Sequence, residues 1–166
     1  IGYYKTVHFA SAVGMTMCWG FTGAPLPGFP YNIHRSMQQA IEDIEKKKVN
    51  ALSGIASYIR RLIMVAEEQG RDLSRINKIQ ALGEAVPKGM RDDIRRRLQG
   101  MGADDVYVCN AFGFTEAQTA FQECQELGGA HSGTPQLAYF EAVDENGKRK
   151  PDGEPGLLCI THLDRR

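Results

Sequence analysis

The sequence predicts an α/β fold, with parallel βα units first and a small antiparallel β meander or distorted barrel after them. Three observations carry this. Between residues 35 and 109, segments with helical apolar spacing alternate with short apolar runs, joined by short links. Beyond residue 116 the helical period is lost, and short alternating runs separated by turn-rich segments replace it. A chain of 166 residues is also long enough for one domain with a real core. The change of pattern divides the chain into residues 1–116, an α/β subdomain, and 117–166, an antiparallel β subdomain.

Residues 6 to 33 contain no Lys, Arg, Asp or Glu, but Gly14, Gly20, Gly23, Pro25, Pro27, Gly28 and Pro30 interrupt them. A membrane-spanning helix needs about twenty predominantly apolar residues. The stretch therefore reads as buried or pocket-lining chain rather than a membrane anchor, and IGYYKT shows no basic-then-apolar leader. In HRSMQQAIEDIEKKK, Met37, Ala40, Ile41 and Ile44 share one helical face. VNALSG follows as a short strand. IASYIRRLIMVAEEQG repeats the stripe at Ile55, Ile59, Leu62, Ile63 and Ala66, with Gly70 as its stop.

INKIQALGEAVP reads as a strand entering a turn, and Pro87 suits the first turn of a helix carrying Met90, Ile94 and Leu98. DDVYVCN is the next strand. TAFQEC, QLAYFEAV and GLLCITHL are the short runs of the second half. Asn146-Gly147 and Asp152-Gly153 favour tight turns between the last two of them.

Charge and cysteine usage narrow the function classes. Twenty basic residues balance twenty acidic ones, and no basic stripe is interleaved with aromatics, which argues against a nucleic-acid partner. Cys18, Cys109, Cys124 and Cys159 form no CxxC pair, as expected of free thiols in a reducing, cytoplasmic compartment. RDDIRRR reads as a solvated helix face with i,i+3 and i,i+4 ion pairs.

Two stretches could carry chemistry: LGEAVP after Ile79 to Ala81, and NAFGFTE after Val106 to Cys109, both read as loops at the C-terminal ends of strands. That edge of an open α/β sheet is where ligands usually bind. Gly83 and Gly113 allow close approach to backbone, and Phe112 offers a face for a flat base. Thr115 offers a hydroxyl for a phosphate oxygen, and Glu116 a hard oxygen ligand for Mg²⁺. Two ordinary glycine turns, with Glu116 solvated and Phe112 in the core, account for the same spacing, and short glycine motifs have many false positives.

NAFGFTE resembles the Asn-x-Tyr-Gly-x-Thr-Glu signature of adenylate-forming (AMP-binding) enzymes, with Phe112 in place of tyrosine, and GEAVP resembles their adenine-contacting loop. The order FGFTE, Glu123-Cys124, His131, LAYFEAVDENGK and DGEPGLLCITHL is similar to the phenylacetate–CoA ligase-like branch. The resemblance covers essentially the whole chain. It implies part of the large domain of an ATP-dependent ligase that forms an acyl-adenylate from an aryl or acyl carboxylic acid and passes the acyl group to coenzyme A.

Gly83, Glu84 and Ala85 would then line the adenine site of ATP/AMP, with Asn110, Ala111, Phe112 and Gly113 as its other wall. Thr115 would bond the α-phosphate, and Glu116 would hold Mg²⁺ as the second catalytic residue. Trp19 and Phe21 could line the acyl pocket. The family's phosphate loop, Thr-Gly-Asp motif and catalytic lysine are not found here, so an internal fragment, inactive alone, is expected. The family also allows two other readings: an adenylyltransferase of the deazaflavin-coenzyme synthetase type, and a non-catalytic nucleotide-binding relative. Cys124 and His131 fall short of the four ligands of a structural zinc site. The apolar 6–33 stretch leads to the expectation of a homodimer.

Overall fold

The computed structural model describes residues 36–114, 119–124, 129–133 and 135–163. The apolar stretch from 6 to 33, Cys18, Trp19 and Phe21 therefore lie outside the described residues. Helix α1 (Met37–Lys46) opens on a capping box. The Gln39 amide donates to Ser36 Oγ at 3.2 Å, and the Ser36 amide donates to Gln39 Oε1 at 3.0 Å. Its buried face is Ala40, Ile41 and Ile44, with Met37, the fourth residue of the expected stripe, partly buried against the core.

Strand β1 (Ala51–Ile55), helix α2 (Ala56–Glu68), strand β2 (Lys78–Leu82) and helix α3 (Lys88–Gly100) follow in order. β1 and β2 are parallel and in register from Ala51 opposite Lys78 to Ile55 opposite Leu82. Ser53 Oγ donates to Gln80 Oε1 across this pair at 2.9 Å. Pro87 stands one residue before α3 as its N-cap, where its carbonyl accepts from the Met90 and Arg91 amides.

The three helices among the described residues end alike. The amides of Val49, Arg71 and Ala103 donate back to the carbonyls of Ile44, Ala66 and Leu98, at 3.0, 2.9 and 3.0 Å. This closure needs a left-handed residue just before each donor. Gly70 (φ +63°) and Gly102 (φ +94°) adopt it without strain, whereas α1 uses Lys48 at φ +53°.

The chain divides into two compact units between Asn110 and Ala111. In the first, Ile41, Ile63, Leu73, Ile76, Ile79, Ile94, Leu98 and Val108 are each less than 2% exposed. Full burial of one such side chain contributes about 1.5–3 kcal/mol. Helices α2 and α3 are also tied by charge. Asp93 accepts from Arg60 at 2.8 Å and from Arg96 and Arg97 on its own helix, and Arg97 also reaches Glu67. The face read as solvated ion pairs is thus partly an interhelix clamp.

Strand β3 (Tyr107–Phe114) begins beside β2, the Tyr107 amide donating to the Asn77 carbonyl at 2.8 Å. It continues through Phe114, so residues 110–114, read from sequence as loop, are strand. The cause is pairing: Ala111 to Phe114 lie antiparallel to Gln122 to Thr119 of β4 (Thr119–Glu123). β5 (Ala130–Ser132) pairs antiparallel with β4, and the sheet order is β1-β2-β3-β4-β5.

β6 (Ala138–Val143) and β7 (Leu157–His162) form a separate antiparallel pair. Between them Asp144 Oδ1 accepts the amides of Asn146 and Lys148 at 2.9 and 2.8 Å, and Gly147 takes φ +77°. The α/β class and the meander are as the sequence implies. β4 and β5, however, belong to the same five-stranded sheet as β1 to β3, while β6 and β7 pair in a sheet of their own. No helix among the described residues is long and apolar enough to cross a membrane.

Candidate nucleotide-binding loops

The register of β1 and β2 builds the first loop. Ile55 and Leu82 end their strands level, so the first turn of α2 and the loop from Gly83 to Pro87 emerge side by side. Gly83 turns the chain at φ +72°. A Cβ added there would meet nothing within 4 Å, so glycine is required by backbone conformation rather than by space. Gly83, Glu84 and Ala85 are all exposed, while Val86 is buried at 4% and anchors the far side of the loop.

Glu84 has a definite partner. Helix α2 begins after Ile55, which has no side chain able to cap it. The Ser57 amide donates to Glu84 Oε2 at 2.9 Å, and Ser57 Oγ donates to Glu84 Oε1 at 2.8 Å. A carboxylate 27 residues downstream thus supplies the missing cap and meets the positive end of the helix dipole. Sequence reading gave Glu84 to the loop but missed Ser57. The available signal was an N-terminal helix position left uncapped by isoleucine.

The second stretch is divided between the units. Asn110 is half-buried at the end of the first unit's share of β3, after the buried Val108 and Cys109. Ala111 is buried in the second unit, while Phe112 and Gly113 are exposed. The Phe112 ring stacks on Phe121 with centroids 4.7 Å apart and planes at 10°. Phe121 in turn meets Phe140 edge-on at 5.0 Å. Phe112 remains 42% exposed, outside the core. Thr115 and Glu116 lie outside the described residues.

Cys124 follows directly after β4, and His131 sits on β5, opposite Gln122. Among the described residues no three His, Cys, Asp or Glu side chains are grouped so as to hold a metal ion. Among the described residues Cys109, Cys124 and Cys159 are not joined in disulfides.

The electrostatics of the first unit are set by arginine. Burial raises the Asp93 carboxyl, but bonds from Arg97, Arg96 and Arg60 outweigh it and hold the group below the usual range. Arg71 does the same for Glu45, helped by the Asp72 amide at 2.8 Å. Burial pushes the Tyr58 hydroxyl up.

A model of the AMP-binding enzyme family matches residues 2–162, and the chain belongs to that family. It is 26% identical over 128 residues to a D-alanine–D-alanyl carrier protein ligase from Bacillus velezensis, covering 72% of this chain and 24% of that protein. Two solved structures share the fold. One is a long-chain-fatty-acid–CoA ligase from Archaeoglobus fulgidus, at TM-score 0.63 and 15% identity over 77% of this chain and 27% of that one. The other is a 2-hydroxyisobutyryl-CoA ligase in complex with 2-HIB-AMP and CoA, at TM-score 0.62 and 23% identity over 86% and 32%. The chain therefore spans 24% to 32% of the length of these relatives.

Proposed function

We propose that this chain is part of an AMP-forming acid–thiol ligase of the phenylacetate–CoA ligase-like type. A carboxylate oxygen of an aryl or acyl acid attacks the α-phosphorus of ATP, and pyrophosphate leaves. The thiolate of coenzyme A then attacks the acyl carbon, and AMP leaves with the electron pair of the broken bond. The observation that carries this reading is the glycine-led loop 83–87 at the carboxyl end of a parallel strand, in a chain matched to the family over residues 2–162.

In this reading the loop of Gly83, Glu84 and Ala85 belongs to the adenine site, as do Asn110, Ala111, Phe112 and Gly113. Thr115 donates to an α-phosphate oxygen, and Glu116 provides the hard carboxylate oxygen that Mg²⁺ favours. A Mg²⁺ ion held by Glu116 would supply positive charge to offset that of the phosphates. The enzyme works in the cytoplasm as a homodimer.

The D-alanyl carrier protein ligase relative favours a second acceptor, a carrier protein in place of coenzyme A. The test is pyrophosphate release by the full-length enzyme with ATP and a panel of aryl, fatty and amino acids, with and without coenzyme A. Acid-dependent release is expected, and Glu116→Ala should lower kcat by about 10²–10³-fold, as loss of one transition-state charge partner does. Thioester formed only with a carrier protein selects the second acceptor. No release with any acid overturns the ligase reading.

A further inference from the structure

We propose that Glu84 is a positioning residue for nucleotide binding, acting through Ser57 and not through contact with the base. The role rests on the ligase reading above. The loop holding Gly83 and Ala85 leaves β2 at a left-handed glycine, a conformation with no side-chain restraint of its own. Val86 fixes one end of the loop by burial. The other end is fixed by the two bonds from Ser57 to Glu84.

Both oxygens of the carboxylate are engaged, one by the Ser57 amide and one by its hydroxyl. The carboxylate therefore faces the first turn of α2, and the loop's backbone is what remains for a ligand. Ile55 contributes no cap, so the clamp serves both partners: it closes the helix and sets the height of the loop above the sheet. A nucleotide edge read by backbone groups of Gly83 and Ala85 then depends on Ser57, 26 residues upstream of Gly83 in sequence, although Ser57 never touches it.

The experiment measures AMP and ATP affinity calorimetrically on the full-length enzyme, with steady-state pyrophosphate release and amide exchange in the first turn of α2. The variants are Glu84→Ala, Glu84→Gln and Ser57→Ala. Glu84→Ala should weaken nucleotide binding and raise KM for ATP about tenfold, with kcat changed less than about twofold. Glu84→Gln keeps an acceptor for the Ser57 amide and should recover most of that loss. Ser57→Ala removes the hydroxyl bond alone and should fall between. Exchange at the α2 amino end should rise in the same order.

Glu84→Ala that binds nucleotide as the wild type does would overturn the positioning role. So would equal loss in Glu84→Gln and Glu84→Ala with α2 exchange unchanged, since that pattern marks a direct charge contact. Wild-type enzyme that binds neither nucleotide overturns the ligase reading itself, and this role with it. If Glu84→Ala does not fold, Ser57→Ala decides the matter by the same readouts.

Discussion

Phe112 and Phe121 are direct register partners across β3 and β4, and their rings stack at 4.7 Å. One ring is 42% exposed and the other 7%, so the pair forms a step from the interior of the second unit to its surface. Phe121 carries the packing load, because Phe140 also rests on it. Phe121→Ala is expected to lower unfolding free energy by about 3 kcal/mol, and Phe112→Tyr to change it by less than about 0.5 kcal/mol, both by urea denaturation.

Lys48 closes α1 in the left-handed conformation that the other two helices assign to glycine. A Cβ in that region costs roughly 1–2 kcal/mol, partly offset by the entropy glycine brings to the unfolded chain. Lys48→Gly should therefore stabilise the protein by about 0.5–1 kcal/mol, seen as a higher thermal midpoint.

Asp93 links stability to pH. Burial alone would raise its carboxyl, but the arginine bonds lower it overall, so its folded pKa lies below its unfolded one. Its contribution is complete above the unfolded value, about 3.9, and disappears as pH falls through the folded value. Glu45 behaves alike. Urea midpoints should hold steady from neutral pH down to about 5 and drop below about 4. Asp93→Asn should start lower at neutral pH and show a shallower drop in acid.

Gly83→Ala tests the turn that launches the nucleotide loop. Nothing obstructs the new methyl, so the cost is conformational, about 1–2 kcal/mol. Gly54→Ala is the control. Its Cβ would meet only Ile59, at 3.8 and 3.9 Å, which is ordinary contact, and a gain of about 0.5 kcal/mol is expected. KM for ATP should rise in the first variant and stay unchanged in the second.

Between residues 36 and 109 the elements were legible because the helices are amphipathic and their ends are marked. Ile41, Ile44, Ile59, Ile63, Ile94 and Leu98, all on the expected stripes, are buried, whereas Ile55, expected on the α2 stripe, ends β1 and is 53% exposed. Residues 110–114 misled because Asn110 and Gly113 are turn formers, whereas Ala111 to Phe114 are drawn into strand by pairing with β4. β5 was not foreseen. A three-residue strand ending in Ser132 carries too little pattern to be seen. Asp93 was placed correctly among i,i+3 and i,i+4 pairs, but Arg60 and Glu67 come from another helix, which local spacing cannot reveal. The Ser57–Glu84 clamp was hidden for the same reason, since strand register and not sequence distance makes them neighbours.

That clamp also orders events during biosynthesis. Helix α2 is translated and can coil before β2 exists, yet its amino end stays open until residue 84 has left the ribosome. Its last structural detail thus arrives after 15 further residues beyond its own carboxyl end, from Gln69 to Gly83, with Glu84 next. A nascent chain arrested within that interval would hold a helix whose first turn frays, and completion of the turn would report that the parallel strand pair had formed.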